Sequence, residues 1–295
     1  MRVNPNSMSD MLVALNQTKL QTQQATIELS TGRSVNQPSD NPTNAALLVN
    51  NNDQTTFNAG YQGSLSTIQG QLSTADSTLS SVVAALQRAT TLGVEAANGT
   101  MSDADRAAIA TELQGIQSQL VSLANTSYQG NYVFAGTVTN TEPFVVDNAV
   151  PSGVSYAGNT SVNQVAIGSG YNLAVNMPGS QLFSAPGKDV FLAINTLITQ
   201  VQTNGDIGDA VTAVGAASSY LSTQRAFYGD ALNQATSQTT YLNTAKLQLA
   251  QQQDTLGAAD LATTASDLTQ SQINTQATLA AISKMTQNNL FDYLK

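Results

Sequence analysis

Three short clusters in this chain hold residue types from which sites are built. Ser283-Lys284 pairs a hydroxyl with an amine, Gly187-Lys188 sets a lysine after a glycine, and Asp103 with Asp105 offers two carboxylates. None has the spacing its chemistry needs. A phosphate loop places two glycines five residues apart and a Ser or Thr after the lysine. Here Gly179 lies too far upstream of Gly187, and Asp189 follows Lys188. Ser283-Lys284 falls on a polar helical stretch, where a hydroxyl and an amine are ordinary surface groups. Asp103 and Asp105 stand at a helix start, where acidic groups complement the macrodipole. The sequons at Asn16, Asn98, Asn125 and Asn159 follow from an Asn- and Thr-rich composition, and three of them sit in or beside helical seams.

Composition narrows the chemistry further. The 295 residues include no Cys, His or Trp, so thiolate nucleophiles, imidazole bases, disulfides and Cys/His metal sites have no members. No cofactor and no enzymatic activity are expected. Ten Lys+Arg against nineteen Asp+Glu leave a net charge of −9, the wrong sign for displacing counterions from nucleic acid. Only 10% of residues are charged, and 29 Gln and 26 Asn carry much of the polarity. No apolar run reaches the about 18 residues that span a bilayer. The opening MRVNPNSMSD lacks the basic start and apolar core of a cleaved signal, so export by the general route is not expected.

Helical periodicity frames the chain. Leu65, Ile68, Leu72, Ala75, Leu79, Val82, Leu86, Ala89, Gly93 and Ala96 make an uninterrupted 3-4 stripe, which predicts one helix with a coiled-coil seam. Asn98-Gly99 should end it through a residue that tolerates positive φ. Ser102 and Asp105 then resemble a capping box, ahead of a stripe at Ile109, Leu113, Ile116, Leu120 and Leu123. So short a turn makes the two helices antiparallel, and Arg88 and Glu112, equidistant from the turn, should come level as an ion pair. Val190, Ile194, Leu197 and Val201 predict a shorter helix closed by Asn204-Gly205. A long seam from Ile207 to Leu256 follows, with no Pro to interrupt it, and Gly257 breaks its phase.

Between about residues 131 and 187 the only charges are Glu142 and Asp147, and four Pro and short alternating apolar runs appear. That pattern predicts short strands in a β insert. The expected fold is mainly α, a long antiparallel helical bundle or coiled coil with an inserted β domain and discontinuous terminal contributions. The expected domains are 1–40 with 257–295, 41–135 with 185–256, and the insert 136–184.

The ends are weaker. Met8, Met11, Leu12, Leu15, Leu20, Ile27 and Leu29 are diluted by Thr18, Thr22 and Ala25 at seam positions, and the seam from Leu261 through Leu268 to Leu279 and Ile282 is interrupted by Gln272 and Thr275. Burying a Leu contributes about 1.5–3 kcal/mol, while ordering one residue costs about 1–2 kcal/mol. Neither end should therefore be a stable helix alone. Either the two ends pair as the edge of a bundle, or they order only against copies of the same chain.

Several segments resemble the bacterial flagellins and the junction proteins related to them. The stretch Ser30-Thr31-Gly32-Arg33-Ser34-Val35-Asn36-Gln37-Pro38-Ser39-Asp40-Asn41-Pro42-Thr43 is similar to the segment after their N-terminal helix. Leu86-Gln87-Arg88 through Leu92, Val94 and Ala96-Ala97-Asn98 resembles their long core helix. Gly130-Asn131-Tyr132-Val133-Phe134-Ala135-Gly136-Thr137 with Pro143-Phe144, the opening Met1-Arg2-Val3 and the ending Leu290-Phe291-Asp292-Tyr293-Leu294 resemble the hook–filament junction members more than the filament subunits.

The resemblance implies a flagellar structural subunit, exported unfolded through the flagellar type III channel and assembled as a ring at the hook tip, extracellular and without a cleaved signal. Its implied partners are copies of itself, the hook-side junction protein (hook-associated protein 1), flagellin and an export chaperone, with no nucleic acid and no membrane. The implied polymerisation interface comprises Met8, Leu12, Leu15, Leu261, Leu268, Leu279, Ile282, Leu290 and Phe291, with Met8, Leu12 and Leu15 facing Leu279 and Ile282 in an inner layer. Positions matching Arg88, Leu92 and Glu112 form, in flagellin, a patch touched by an innate immune receptor and by neighbouring subunits; here Ala89-Thr90-Thr91 departs from the more charged flagellin pattern. A filament subunit remains the alternative. A third reading, of another class, is an enzyme or carbohydrate-binding module carried by the β insert.

Overall fold

The computed structural model describes residues 7–291, and side chains from 8 to 284. The fold is mainly α with small β ribbons. Helices α1 (Ser7–Thr31), α2 (Pro42–Ala96) and α3 (Asp103–Ala124) precede strands β1 (Ser127–Tyr128), β2 (Asn131–Tyr132), β3 (Phe144–Val146), β4 (Val154–Tyr156), β5 (Gln164–Gly168) and β6 (Tyr171–Ala174). Helices α4 (Gly179–Leu182), α5 (Val190–Thr203), α6 (Ile207–Gly257) and α7 (Leu261–Phe291) complete the chain. Two compact units result: Met1–Phe57 with Thr244–Lys295, and Asn58–Asn243.

In the larger unit every member of the stripe from Leu65 to Ala96 is buried, as are Ile109, Leu113, Ile116 and Leu120 of α3. Gly93 is there for proximity: a Cβ at that position would run into Val211 and Leu197. The α2–α3 connection differs from expectation, since neither Asn98 nor Gly99 takes a positive φ. Asn98 instead folds its side chain back, its Oδ1 accepting from the Thr100 N–H at 3.2 Å and the Thr100 hydroxyl at 2.9 Å. A side-chain turn of this kind needs no left-handed residue. Ser102 caps α3 by accepting from the Asp105 N–H at 3.2 Å, and donates its own proton to the Asp105 carboxylate at 2.6 Å. Asn204 does close α5 in the left-handed region, at φ 51°.

The strands form three separate antiparallel ribbons, β1–β2, β3–β4 and β5–β6. The chain leaves the ladder after Tyr132, and Val133 to Ala135 are buried as irregular chain. Phe134, Phe144, Phe183 and Phe191 share one apolar cluster with the seams of α2, α3, α5 and α6. Ring centroids lie 5.3 Å apart for Phe134–Phe183 and Phe144–Phe183, and 5.2 Å for Phe144–Phe191. Asn125, at the end of α3, clamps β3 by accepting the Phe144 N–H at 2.9 Å and donating to the Phe144 carbonyl at 2.7 Å.

In the smaller unit α1 and α7 lie side by side. Thr22 bonds Ser271 at 3.1 Å, and Arg33 bridges Ala258 further along, so the two helices run in opposite directions. Helix α2 begins at Pro42, well before the start of the stripe at Leu65. Proline suits the first helical position because its missing N–H would have no helical partner there. Asn41 caps it, its Oδ1 accepting from the Asn44 N–H at 3.0 Å. Gly257 ends α6 without a positive φ; its bareness admits Leu48, whose Cδ1 would lie 3.2 Å from an added Cβ.

Candidate functional site

The segment carrying the first resemblance is a tightly bonded connector. Gly32 leaves α1 at φ 67°, the left-handed cap that glycine adopts without a Cβ penalty. The backbone then pairs with the far strand of chain: Ser34 N–H donates to Gly257 O at 2.8 Å and Ala259 N–H to Gly32 O at 3.0 Å. Asp40 accepts the N–H groups of Asn36 and Gln37, each at 2.9 Å, and the Asn36 amide donates to Arg33 O at 2.8 Å. Arg33, Asn36 and Pro38 line a cleft of about 690 Å³ with Leu48, Asp254 and Ala258. These motif residues shape the turn that returns α1 to α2.

The α1–α7 pair distributes its side chains in an unusual way. Its seam is built largely from hydroxyls and small groups: Thr18, Ala25, Thr264 and Ser271 are buried with Leu15, while Thr22, Leu268, Thr275 and Ile282 are half-buried. Hydroxyls can lie inside because each bonds its own helix: Thr18 to Ala14 O at 2.6 Å, Thr22 to Thr18 O at 2.8 Å, Thr275 to Ser271 O at 2.8 Å. Several larger apolar groups point away. Val13, Leu20 and Ile27, spaced by sevens, are 64%, 65% and 42% exposed. Met8, Leu12, Leu261 and Leu279 are exposed as well. Of the residues expected to meet in an inner layer, only Leu15 is buried and Ile282 half-buried in the single chain; Met8, Leu12 and Leu279 face outward. Met1-Arg2-Val3, the side chains of Leu290 and Phe291, and the residues that follow lie outside those described.

In the larger unit Arg88 and Glu112 meet, with Arg88 Nε and Nη2 donating to one Glu112 oxygen at 2.9 and 2.7 Å. Leu86 is buried beside them and Gln87 is exposed. Leu92 is also buried, because it falls on the seam, so no surface carries Arg88, Glu112 and Leu92 together. Gly130 turns the β1–β2 hairpin at φ 82°. Gly136, at φ 76°, lies against Asn159 with no room for a Cβ, and Thr137 receives the Asn159 amide on its hydroxyl at 2.7 Å. Phe134 belongs to the aromatic cluster. The segment from Gly130 to Thr137 therefore shapes the entry to the insert.

Two carboxylates cap helices. Asp189 caps α5 by accepting the Leu192 N–H at 2.8 Å, with burial raising its carboxyl above the usual range. Asp260 caps α7, and bonds from Thr263 and Ala262 hold its carboxyl below the usual range. Burial pushes the Tyr228 hydroxyl far up, and it accepts the Met177 N–H at 3.3 Å. Among the described residues no three acidic side chains gather as a metal site, and no helix is long and apolar enough to cross a membrane.

One ion pair had no signal in the sequence. Arg225 grips Asp76 with two bonds, Nε to Oδ1 at 2.9 Å and Nη2 to Oδ2 at 3.1 Å. Its groups are 32% exposed on both sides, against 55% and 47% for Arg88–Glu112. Exposed pairs contribute about 0–1 kcal/mol, whereas paired, charge-assisted bonds in a drier setting contribute about 1.5–3 kcal/mol. Chemical denaturation should accordingly show Asp76→Ala costing more than Glu112→Ala, with the latter difference vanishing in high salt.

The bacterial flagellin N-terminal helical region matches residues 3–139, and the bacterial flagellin C-terminal helical region matches residues 211–294. The chain is 35% identical over 190 residues to flagellar hook-associated protein 3 of Salmonella typhimurium, covering 60% of this chain and 58% of that protein. It is 24% identical over 273 residues to flagellin of Listeria innocua, covering 90% and 88%. The crystal structure of flagellar hook associated protein-3 from Legionella pneumophila superposes with a TM-score of 0.64 at 14% identity, covering 72% of this chain and 98% of that one. The chain spans about half the length of the curated hook-associated relatives it matches.

Proposed function

The chain belongs to the bacterial flagellin family, and on that premise we propose that it is a structural, non-enzymatic subunit joining the flagellar hook to the filament. The observation that carries this reading is the α1–α7 pair, whose seam is built largely from hydroxyl-bearing and small groups while Val13, Leu20 and Ile27 stand outside. An isolated helical pair gains nothing from exposing a heptad-spaced apolar stripe. Neighbouring copies that cover it gain the burial energy and offset the ordering of both helices. The hook-associated relative, at 35% identity, supports the junction over other positions in the organelle.

On this reading the terminal segments 1–40 and 257–295 form the assembly domain, 41–135 with 185–256 the core, and 136–184 the insert. Met8, Leu12, Leu261 and Leu279 join Leu15, Leu268, Ile282, Leu290 and Phe291 at contacts between subunits. Copies of the chain, hook-associated protein 1, flagellin and an export chaperone are its partners, and export proceeds unfolded through the flagellar type III system. A filament subunit is the second reading, favoured by the match to Listeria flagellin across 90% of the chain.

Deletion separates the two. Without a junction subunit, hooks persist and flagellin escapes unpolymerised into the medium, and an epitope-tagged copy restores filaments and labels one band at the hook tip. Label along the whole filament would establish the second reading; normal filaments after deletion would dismiss both.

A further inference from the structure

Helix α2 carries Asn44, Asn51 and Asn58 at seven-residue spacing, and α6 presents the carbonyls of Leu256, Leu249 and Leu242 at the same spacing in reverse. Each asparagine amide donates to its carbonyl, at 3.1, 2.9 and 3.0 Å in that order. The first two rungs lie in the smaller unit and the third in the larger. Asn51 and Asn58 are 4% and 6% exposed, and the Oδ1 of each is buried without a partner. A buried carboxamide oxygen with no donor is a cost, and leucine at a seam position would remove it. At its stripe positions from Leu65 to Ala96, α2 carries only apolar residues and glycine.

We propose that Asn44, Asn51 and Asn58 are the pairing-specificity residues of α2, holding α6 in one alignment at the expense of stability. A carbonyl of an α-helix is bonded along the axis to the fourth residue on, and only its remaining lone pair is open to a side chain. Carbonyls seven residues apart lie within about 20° of one another around the axis, and those three or four apart within about 40–60°. A slip of three or four residues carries the carbonyls of Leu249 and Leu242 out of reach and offers others turned by about 40–60°, so that the amide bonds bend off line while the carboxamide oxygen stays buried. An all-leucine seam imposes no such penalty, since any face of apolar side chains accepts another. A buried Asn in a coiled coil is a known means of choosing register in this way. The rungs are independent of whether the chain sits at the hook or in the filament.

The cysteine-free sequence makes the test direct. Gln62 bonds Asn243 at 2.9 Å on the surface of the pair, so Q62C with N243C and a short thiol cross-linker reports the native alignment. Q62C with L247C reports a slip of about one turn. In the otherwise natural chain the first pair should cross-link and the second should not. Adding N51L and N58L should raise the melting midpoint while shifting cross-linking from the first pair toward the second. A raised midpoint with native cross-linking alone would overturn the proposal, because the amides would then set no register. A lowered midpoint would overturn it too, since the amides would be contributing stability. Should the double variant not fold, N51L alone carries the same two readouts, and failure of both to fold counts with the lowered midpoint.

Discussion

Phe144→Ala is expected to lower the unfolding free energy of the chain by about 3–5 kcal/mol, the usual loss for an aromatic side chain removed from a close-packed core. Phe144 is 1% exposed and stacks within 5.0–5.3 Å of Tyr156, Phe183 and Phe191. Its backbone is held twice by Asn125, so the site cannot collapse by moving the strand toward the gap. Gly179 approaches the ring closely, with 2.7 Å between Phe144 Cε2 and the position of an added Cβ. Phe144→Leu keeps most of the volume and should cost about 1.5 kcal/mol or less. Urea unfolding followed by far-ultraviolet circular dichroism measures both. A loss under about 1 kcal/mol for the alanine variant would mean that the insert contributes nothing to the helical core it packs on.

The second large effect concerns assembly rather than folding. Replacing Val13, Leu20 and Ile27 by Asp should leave the helicity and melting of the isolated chain nearly unchanged, because these side chains already face outward. Helix propensity alone would cost only a few tenths of a kcal/mol per site, at most about 0.7. On the proposed reading, subunits assembled through this stripe forfeit about 1.5–3 kcal/mol of burial per side chain and set like charges against each other. Cells carrying the triple variant should therefore export the chain but build no filament, with flagellin accumulating in the medium. Motility indistinguishable from the parent would remove the stripe from the assembly mechanism. Thr22→Ala, on the inner seam, serves as the comparison and should affect assembly little.

Much of the helical core was legible without coordinates. The stripes of α2, α3, α5 and α6 are read from one-dimensional spacing because a helix converts a 3-4 repeat directly into a face, and a face without charge has to be buried. The ion pair of Arg88 and Glu112 followed from the same regularity, since equal distances from a short turn make antiparallel positions level. The Asp76–Arg225 pair did not, because the two residues are 149 positions apart and no local spacing relates them.

The β segment was legible only as a change of material. Short apolar runs between glycines and prolines announced strands, but not that they would form three separate ribbons or that Phe134 and Phe144 would sink into the helical core. Which strands pair is decided by contacts over long separations, and a three-residue strand carries too few side chains to encode its partner. The turn at Asn98-Gly99 shows the same limit on a smaller scale. Its residue types permit a left-handed cap, yet the Thr100 donors selected a side-chain turn instead.

By itself, the sequence determined which chemistries were absent, where the long apolar seams of the helical core run, and that both ends were too thinly apolar to make a conventional seam, since composition and period are properties of the chain alone. Only the tertiary structure decided that the seam carrying Thr18, Thr22 and Ala25 pairs α1 with α7 within one chain and leaves Val13, Leu20 and Ile27 outside. The physical reason is that small and hydroxyl-bearing groups bond their own backbone and let two helices approach, while bulky groups are left outside for another surface to cover.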